Sequence, residues 1–337
     1  IAYLVLLSAI VLIPLLNSCN LVELFDRRRG IDATIPDFDF PTSITFKQQL
    51  SEYNIFQGTP NNLQPTDAYH LLELSSILYT DYAKKQRLVK VPAGTSMTKN
   101  PDGTIDFPDG SILVKTFYYY KDERDTTLGK SIIETRLLIK EADVWNIATY
   151  LWNDEQTDAS LLLEGLDTPV NWITANGSNR ATLYHVPDEN ECIACHQAND
   201  KMIPLGTTLR NLNRNVIRNN VSVSQIEHLQ SIGVLSQFNL SSIAQITDYT
   251  DASASLEKRA RAYMDLNCSH CHNPDAWAES AREGLDFRYE TSLGQTGILE
   301  EINEIKEAVA DGEMPFIGTT LIDEEGVDLI IRYIEGL

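Results

Sequence analysis

The sequence predicts a multidomain α+β protein, with an N-terminal antiparallel β-rich domain followed by mainly α-helical domains. Three observations predict it. From Tyr69 to Val186, runs rich in β-branched and aromatic residues alternate with Pro, Gly, Asn and Asp turn signals. From Leu256 onward the apolar residues recur at helical spacing. Between the two regions stands Cys192-Ile193-Ala194-Cys195-His196, echoed later by Cys268-Ser269-His270-Cys271-His272.

Taken in order, Ile1 to Leu16 is an apolar run interrupted by Ser8 and Pro14, and Leu16-Asn17-Ser18-Cys19 follows it. That pattern fits residues 1–18 as a lipoprotein-type signal segment with Cys19 as the lipidated residue. The run is short for a membrane span, and Arg27, Arg28 and Arg29 sit on the wrong side of it for the positive-inside tendency. Asn20 does not resemble an inner-membrane retention signal, so the expected location is the cell envelope, as an outer membrane lipoprotein facing the periplasm or the cell exterior. Residues 19–45, with Pro36, Asp37, Asp39 and Pro41, read as a tether.

The β-rich domain is expected over residues 46–187. Lys47 to Phe56 reads as a short helix that ends near Gly58-Thr59-Pro60. Leu88 to Val91, Ser111 to Tyr120, Ser131 to Lys140 and Val144 to Trp152 read as strands, punctuated by Asn100-Pro101-Asp102-Gly103 and Phe107-Pro108-Asp109-Gly110. Pro169 to Thr174 and Ala181 to Val186 flank an Asn176-Gly177 turn as a hairpin. Trp145, Trp152, Trp172 and Tyr118 to Tyr120 are expected in the core, because aromatics dominate β-sheet interiors.

Helices are expected over Thr207 to Asn219, Ser224 to Leu235, Leu256 to Asn267, Ile298 to Ala310 and Asp323 to Leu337. In the first of these Arg210, Arg214 and Arg218 would line one face, at i, i+4 and i+8. No acid occurs from Lys201 to Gln225, so that face is expected as a basic flank or a solvated one.

The chain has 337 residues, enough for about two or three domains. Its formal charge of −21 argues against nucleic acid as a partner, since phosphate binding needs a cationic face. A basic redox partner, or none of strong charge, fits better.

Both repeated strings read Cys-x-x-Cys-His, the attachment signature of c-type haem. Two thiols on one helical turn reach the two vinyl groups of one haem, and the adjacent His supplies the proximal ligand. Five Cys and six His in this length give only about 0.001 expected occurrences, so two are no accident. A zinc ribbon or two disulfides would use the same cysteines, but neither needs a His after each second Cys. The cofactor expectation is therefore two covalently bound haem c groups, held by Cys192, Cys195, His196 and by Cys268, Cys271, His272. The two helical regions, 188–252 and 253–337, are expected as cytochrome c-type haem domains.

For the second haem the natural sixth ligand is Met314, in Gly312-Glu313-Met314-Pro315 between two expected helices. For the first haem Met202, His228, Met264 and His185 all compete with an open or water-bound iron. His270 reads as a spacer, and His70 carries no signal.

Further strings carry a resemblance. They include Tyr79-Thr80-Asp81-Tyr82-Ala83-Lys84-Lys85, Val91-Pro92-Ala93-Gly94-Thr95, Glu134-Thr135-Arg136, Leu151-Trp152-Asn153, Leu212-Asn213-Arg214, and Arg259-Ala260-Arg261-Ala262-Tyr263 before Asn267-Cys268. With the two haem strings, they resemble a family of bacterial di-haem c-type cytochromes, lipoproteins with an N-terminal β domain. The resemblance implies lipid-anchored electron carriers, often encoded beside a parallel β-helix protein, which joins redox proteins among the expected partners. The expected activity is electron transfer between redox partners. Two alternatives stand beside it: a di-haem peroxidase or oxidase with an open first haem, and a ligand-binding β domain wired to haems.

Overall fold

The computed structural model describes residues 44–199, 201–276 and 284–337. The expected signal segment 1–18, Cys19 and nearly all of the tether lie outside the described residues. All described residues belong to one compact unit, Ile35–Leu337.

The strands are β1 (His70–Leu71), β2 (Lys84–Lys90), β3 (Thr98–Lys99), β4 (Ile105–Asp106), β5 (Ile112–Tyr120), β6 (Lys130–Glu141), β7 (Val144–Trp152), β8 (Ala159–Leu162), β9 (Leu166–Ile173) and β10 (Asn179–Val186). Four short ones follow: β11 (Gln197–Ala198), β12 (Lys201–Met202), β13 (Asn215–Arg218) and β14 (Val221–Ser224). Strands β1, β2, β5, β6, β7 and β8 form one antiparallel sheet in that order. The helices are α1 (Glu189–His196), α2 (Leu209–Leu212), α3 (Gln225–Ser231), α4 (Leu256–Asn267), α5 (Ile302–Ala310) and α6 (Glu324–Glu335).

Side chains alternate across each strand, and here both faces are apolar over long stretches. On one face Leu88, Ile112, Val114, Leu137, Ala148, Tyr150 and Trp152 pack against Leu50, Ile55, Leu63 and Tyr69 of the segment that precedes the sheet. On the other, Val89, Leu113, Leu138, Trp145 and Ile147 pack against Cys192 and Ile193 of α1 and against Leu209, Leu212, Ile226 and Leu229 beyond it. The β9–β10 hairpin covers a third area, where Val170, Trp172, Tyr184 and Val186 meet Phe117 and Tyr119.

This corrects the expected fold class. The protein is β-rich, and its six helices among the described residues are short, the longest having 12 residues. It is not a β domain followed by mainly α-helical cytochrome c-type domains. The physical reason is visible after Cys192. A sheet with two apolar faces needs cover on both, and the segments after the first motif supply it as short helices and hairpins in the core of the sheet itself. Thr207 to Asn219 is not a helix: it holds α2 and then β13, which turns back into β14 through Asn219 and Asn220 at φ 50° and 62°. Asn tolerates that left-handed backbone, and Val216, Ile217, Val221 and Val223 favour strands. Lys47 to Phe56 likewise holds only a 3₁₀ turn, Leu50–Tyr53.

Residues after Leu256 form a smaller helical cluster. Ala260, Tyr263 and Met264 of α4 pack on Ile305 and Val309 of α5 and on Leu329, Ile330, Tyr333 and Ile334 of α6.

Candidate functional site

Helix α1 starts where β10 ends, and a capping box fixes the join. Asp188 accepts a hydrogen bond from the Glu191 N–H, and the Glu191 carboxylate accepts one from the Asp188 N–H, both at 2.9 Å. His185 lies between the Asp167 and Glu191 carboxylates, at 2.6 and 2.8 Å. Both ring nitrogens are thereby engaged, so His185 is no axial ligand. Cys192 and Cys195 follow at i and i+3, one turn apart on the same side of α1.

The chain then reverses through β11 and β12, which brings the Ile203 carbonyl to His196 Nδ1 at 2.9 Å. A carbonyl can only accept, so Nδ1 carries the proton and Nε2 keeps its lone pair for a metal. Burial, with the nearby charges of Lys115 and Arg136 adding to it, holds the His196 pKa down at about 3. The imidazole is neutral, as a ligand must be. Burial raises the Cys192 thiol to about 12, and Cys195 is raised well above its ordinary value, first by a hydrogen bond with Cys271.

The second motif forms one turn at the end of α4: Cys271 N and His272 N both donate to the Cys268 carbonyl, at 3.1 and 2.9 Å. Asn267, the last residue of α4, ties this turn to the β region. Its Oδ1 accepts from Tyr79 N at 2.6 Å, and its Nδ2 donates to the Tyr263 carbonyl at 3.0 Å. His272 is 8 % exposed, its ring 5.3 Å from that of Phe287. Burial lowers its pKa to about 4.

The two motifs meet. Ligand atoms of Cys195, His270 and Cys271 all lie within 4.8 Å of one another. Asn199 N donates to the Asp275 carbonyl at 3.0 Å, joining the segments that follow the two motifs. His270, read as a spacer in the sequence, therefore belongs to the site. The only signal for it was its place inside the second motif.

Met314 lies in the loop after α5, partly buried against the same apolar cluster as Cys268. Met202 is buried in the core that holds Cys192. Met264 is buried one turn before Cys268, within the helical cluster. His228 lies on α3, where burial and then Arg218 lower its pKa, and burial and then His228 lower that of His70. The expected arginine stripe is absent because its helix is. Arg210 instead grips Asp265 with two 2.7 Å bonds, Arg214 donates to the Leu74 carbonyl, and Arg218 pairs with Glu73 at 2.6 Å.

The residues present fit a covalently attached haem: each motif supplies two thiols on one turn with an imidazole beside them, half-buried at His196 and buried at His272, and at His196 the second ring nitrogen is already anchored. No helix among the described residues is long and apolar enough to cross a membrane. No family model, curated protein or solved structure matches the chain. The expected membership in a family of bacterial di-haem c-type cytochromes is corrected accordingly, since the β-rich fold with six short helices and the absence of any match both oppose it.

Proposed function

We propose that this protein is an exported electron carrier with two covalently bound haem c groups, anchored to the outer membrane through a lipid on Cys19. Cys192, Cys195 and His196 would hold one haem, and Cys268, Cys271 and His272 the other, with Met314 as sixth ligand of the second. Each haem, when bound, supplies a one-electron Fe(III)/Fe(II) couple. The chain's share is to bind the groups, orient the imidazoles and keep both attachment sites beside one another. Its acidic surface suits a basic redox protein as partner.

The observation that carries this reading is the pair of complete Cys-x-x-Cys-His turns, brought together so that Cys195 and Cys271 are neighbours. The test is to express the full chain with a c-type haem maturation system and record a pyridine haemochrome after denaturation. Two haems per chain that resist extraction are expected. A chain without covalent haem would end the proposal.

One observation favours a second reading. Cys195, His270 and Cys271 have the ligand types and the closeness of a zinc site. Metal analysis of the same preparation separates the two, because zinc bound through Cys195 and Cys271 leaves those thiols unavailable for haem.

A further inference from the structure

The face of the sheet beneath α1 carries an unusual row of cations. Pairing register sets Arg87 opposite Lys115, and Lys115 opposite Arg136, across β2, β5 and β6. Lys85 lies two residues from Arg87 on the same face, opposite Phe117. Around the Phe117 ring stand Lys115 Nζ at 5.0 Å, Lys85 Nζ at 5.8 Å and the Arg136 guanidinium at 4.6 Å. Like charges directly opposite on a sheet repel. Here four of them gather inside a chain of net charge −21.

Only one of them, Arg136, is held in a direct ion pair among the described residues, while Asp81 acts on Lys85 and Glu134 on Lys115 from further away. Arg136 forms a bidentate pair with the fully buried Glu134, through Nε at 2.8 Å and Nη2 at 2.5 Å. Lys85 Nζ donates to the Ala83 carbonyl at 3.1 Å, a neutral partner that leaves its charge uncompensated there. Burial and the other cations of the row push both lysines well below their ordinary range, and burial brings Arg87 to about 10. An anion seated on this face would offset that repulsion and favour the charged form of both lysines.

The row adjoins the first motif. Val89, Leu113 and Leu138, which share that face of β2, β5 and β6 with Arg87, Lys115 and Arg136, pack in one core with Cys192, and Lys115 and Arg136 both act on His196. A group attached at Cys192 and Cys195 is therefore attached beside the cations.

We propose that Lys85, Arg87 and Lys115 form the seat of the propionate carboxylates of the haem attached at Cys192 and Cys195. The proposal rests on the haem reading and deepens it, by giving the β-sheet a task in the first haem site. Cations beside a haem favour its reduced form, which carries one positive charge fewer.

The test is potentiometric, on the holoprotein. Lys115→Gln and Arg87→Gln are compared with the wild type and with Lys99→Gln, which changes a lysine outside the row. In each row variant one of the two midpoint potentials is expected to fall, by a tenfold change in the Fe(III)/Fe(II) ratio or about 59 mV. Lys115→Arg, which keeps the charge, is expected to restore both the potential and any haem lost on Lys115→Gln. Haem-loaded row variants with wild-type potentials would overturn the proposal, and so would failure of Lys115→Arg to restore them. A wild-type potential that moves on adding inorganic phosphate would show the row open to solution anions, which also overturns it. A wild-type chain without covalent haem defeats the haem reading first, and this inference with it.

Discussion

Cys195 and Cys271 belong to different Cys-x-x-Cys-His strings, yet their sulfur atoms lie within 4.8 Å of each other. Arg210 helps hold this arrangement, since it reaches from α2 to Asp265 on the last turns of α4. Both sites thus sit where the sheet, α1 and α4 converge, and a change at one should be felt at the other.

Replacing both Cys268 and Cys271 with Ala tests that coupling. The proposed function predicts one covalent haem per chain in place of two, read by intact mass. The remaining midpoint potential should differ from its value in the wild type, because neighbouring charges in a low-dielectric interior interact strongly. A haem count still at two would remove the assignment of the second motif.

Met314→Ala tests the sixth ligand of the second haem. Loss of the thioether should lower that haem's potential and abolish the weak red-edge charge-transfer band of thioether-ligated ferric haem. Persistence of both would assign the ligand elsewhere.

Helices α4 and α6 touch at Gly326. A Cβ there would come within 2.2 Å of Tyr263 Cζ, and the Tyr263 ring is held by its hydroxyl, which donates to Asp323 Oδ2 at 2.9 Å. Gly326→Ala should therefore destabilise the protein by about 1–3 kcal/mol, as overpacking does. The denaturant midpoint measures this, and an unchanged midpoint would mean the helices separate freely.

Glu134 is 0 % exposed, and its Oε1 also accepts the Tyr184 hydroxyl at 2.6 Å. Glu134→Gln leaves the Arg136 charge without its counter-charge, which should cost about 3–5 kcal/mol. Equilibrium unfolding of the variant checks the figure. The double change Glu134→Gln with Arg136→Met should recover much of the loss.

The hydrogen bond to Glu191, with that to Asp167, raises His185 from an ordinary 6.5 to about 9. Its folded pKa lies above its unfolded one, so the stabilisation is fully present below pH 6.5 and is lost as pH rises through about 9. With the side chain 32 % exposed, screening leaves this worth about 1 kcal/mol. His185→Gln should unfold more easily than the wild type at pH 6 and equally at pH 10. A difference independent of pH would contradict the ion-pair account.

The sequence by itself determined the local chemistry. Covalent haem attachment demands thiols and an imidazole within five consecutive residues, so both motifs are legible without any fold. The strands are legible too: Val144 to Trp152 forms as its β-branched and aromatic residues require, and Ser111 to Tyr120 loses only its first residue. Tertiary structure decided everything that depends on residues far apart. Thr207 to Asn219 gave up its helical spacing because the sheet's apolar face needed Leu209 and Leu212 as cover, while Asn219-Asn220 allowed the chain to turn back. His270 became a site residue only when α4 met α1. Lys85, Arg87, Lys115 and Arg136 look like ordinary strand cations until the register of β2, β5 and β6 lines them up beneath Cys195. Period-two alternation tells which residues share a face of one strand, but only pairing between strands decides which charges become neighbours.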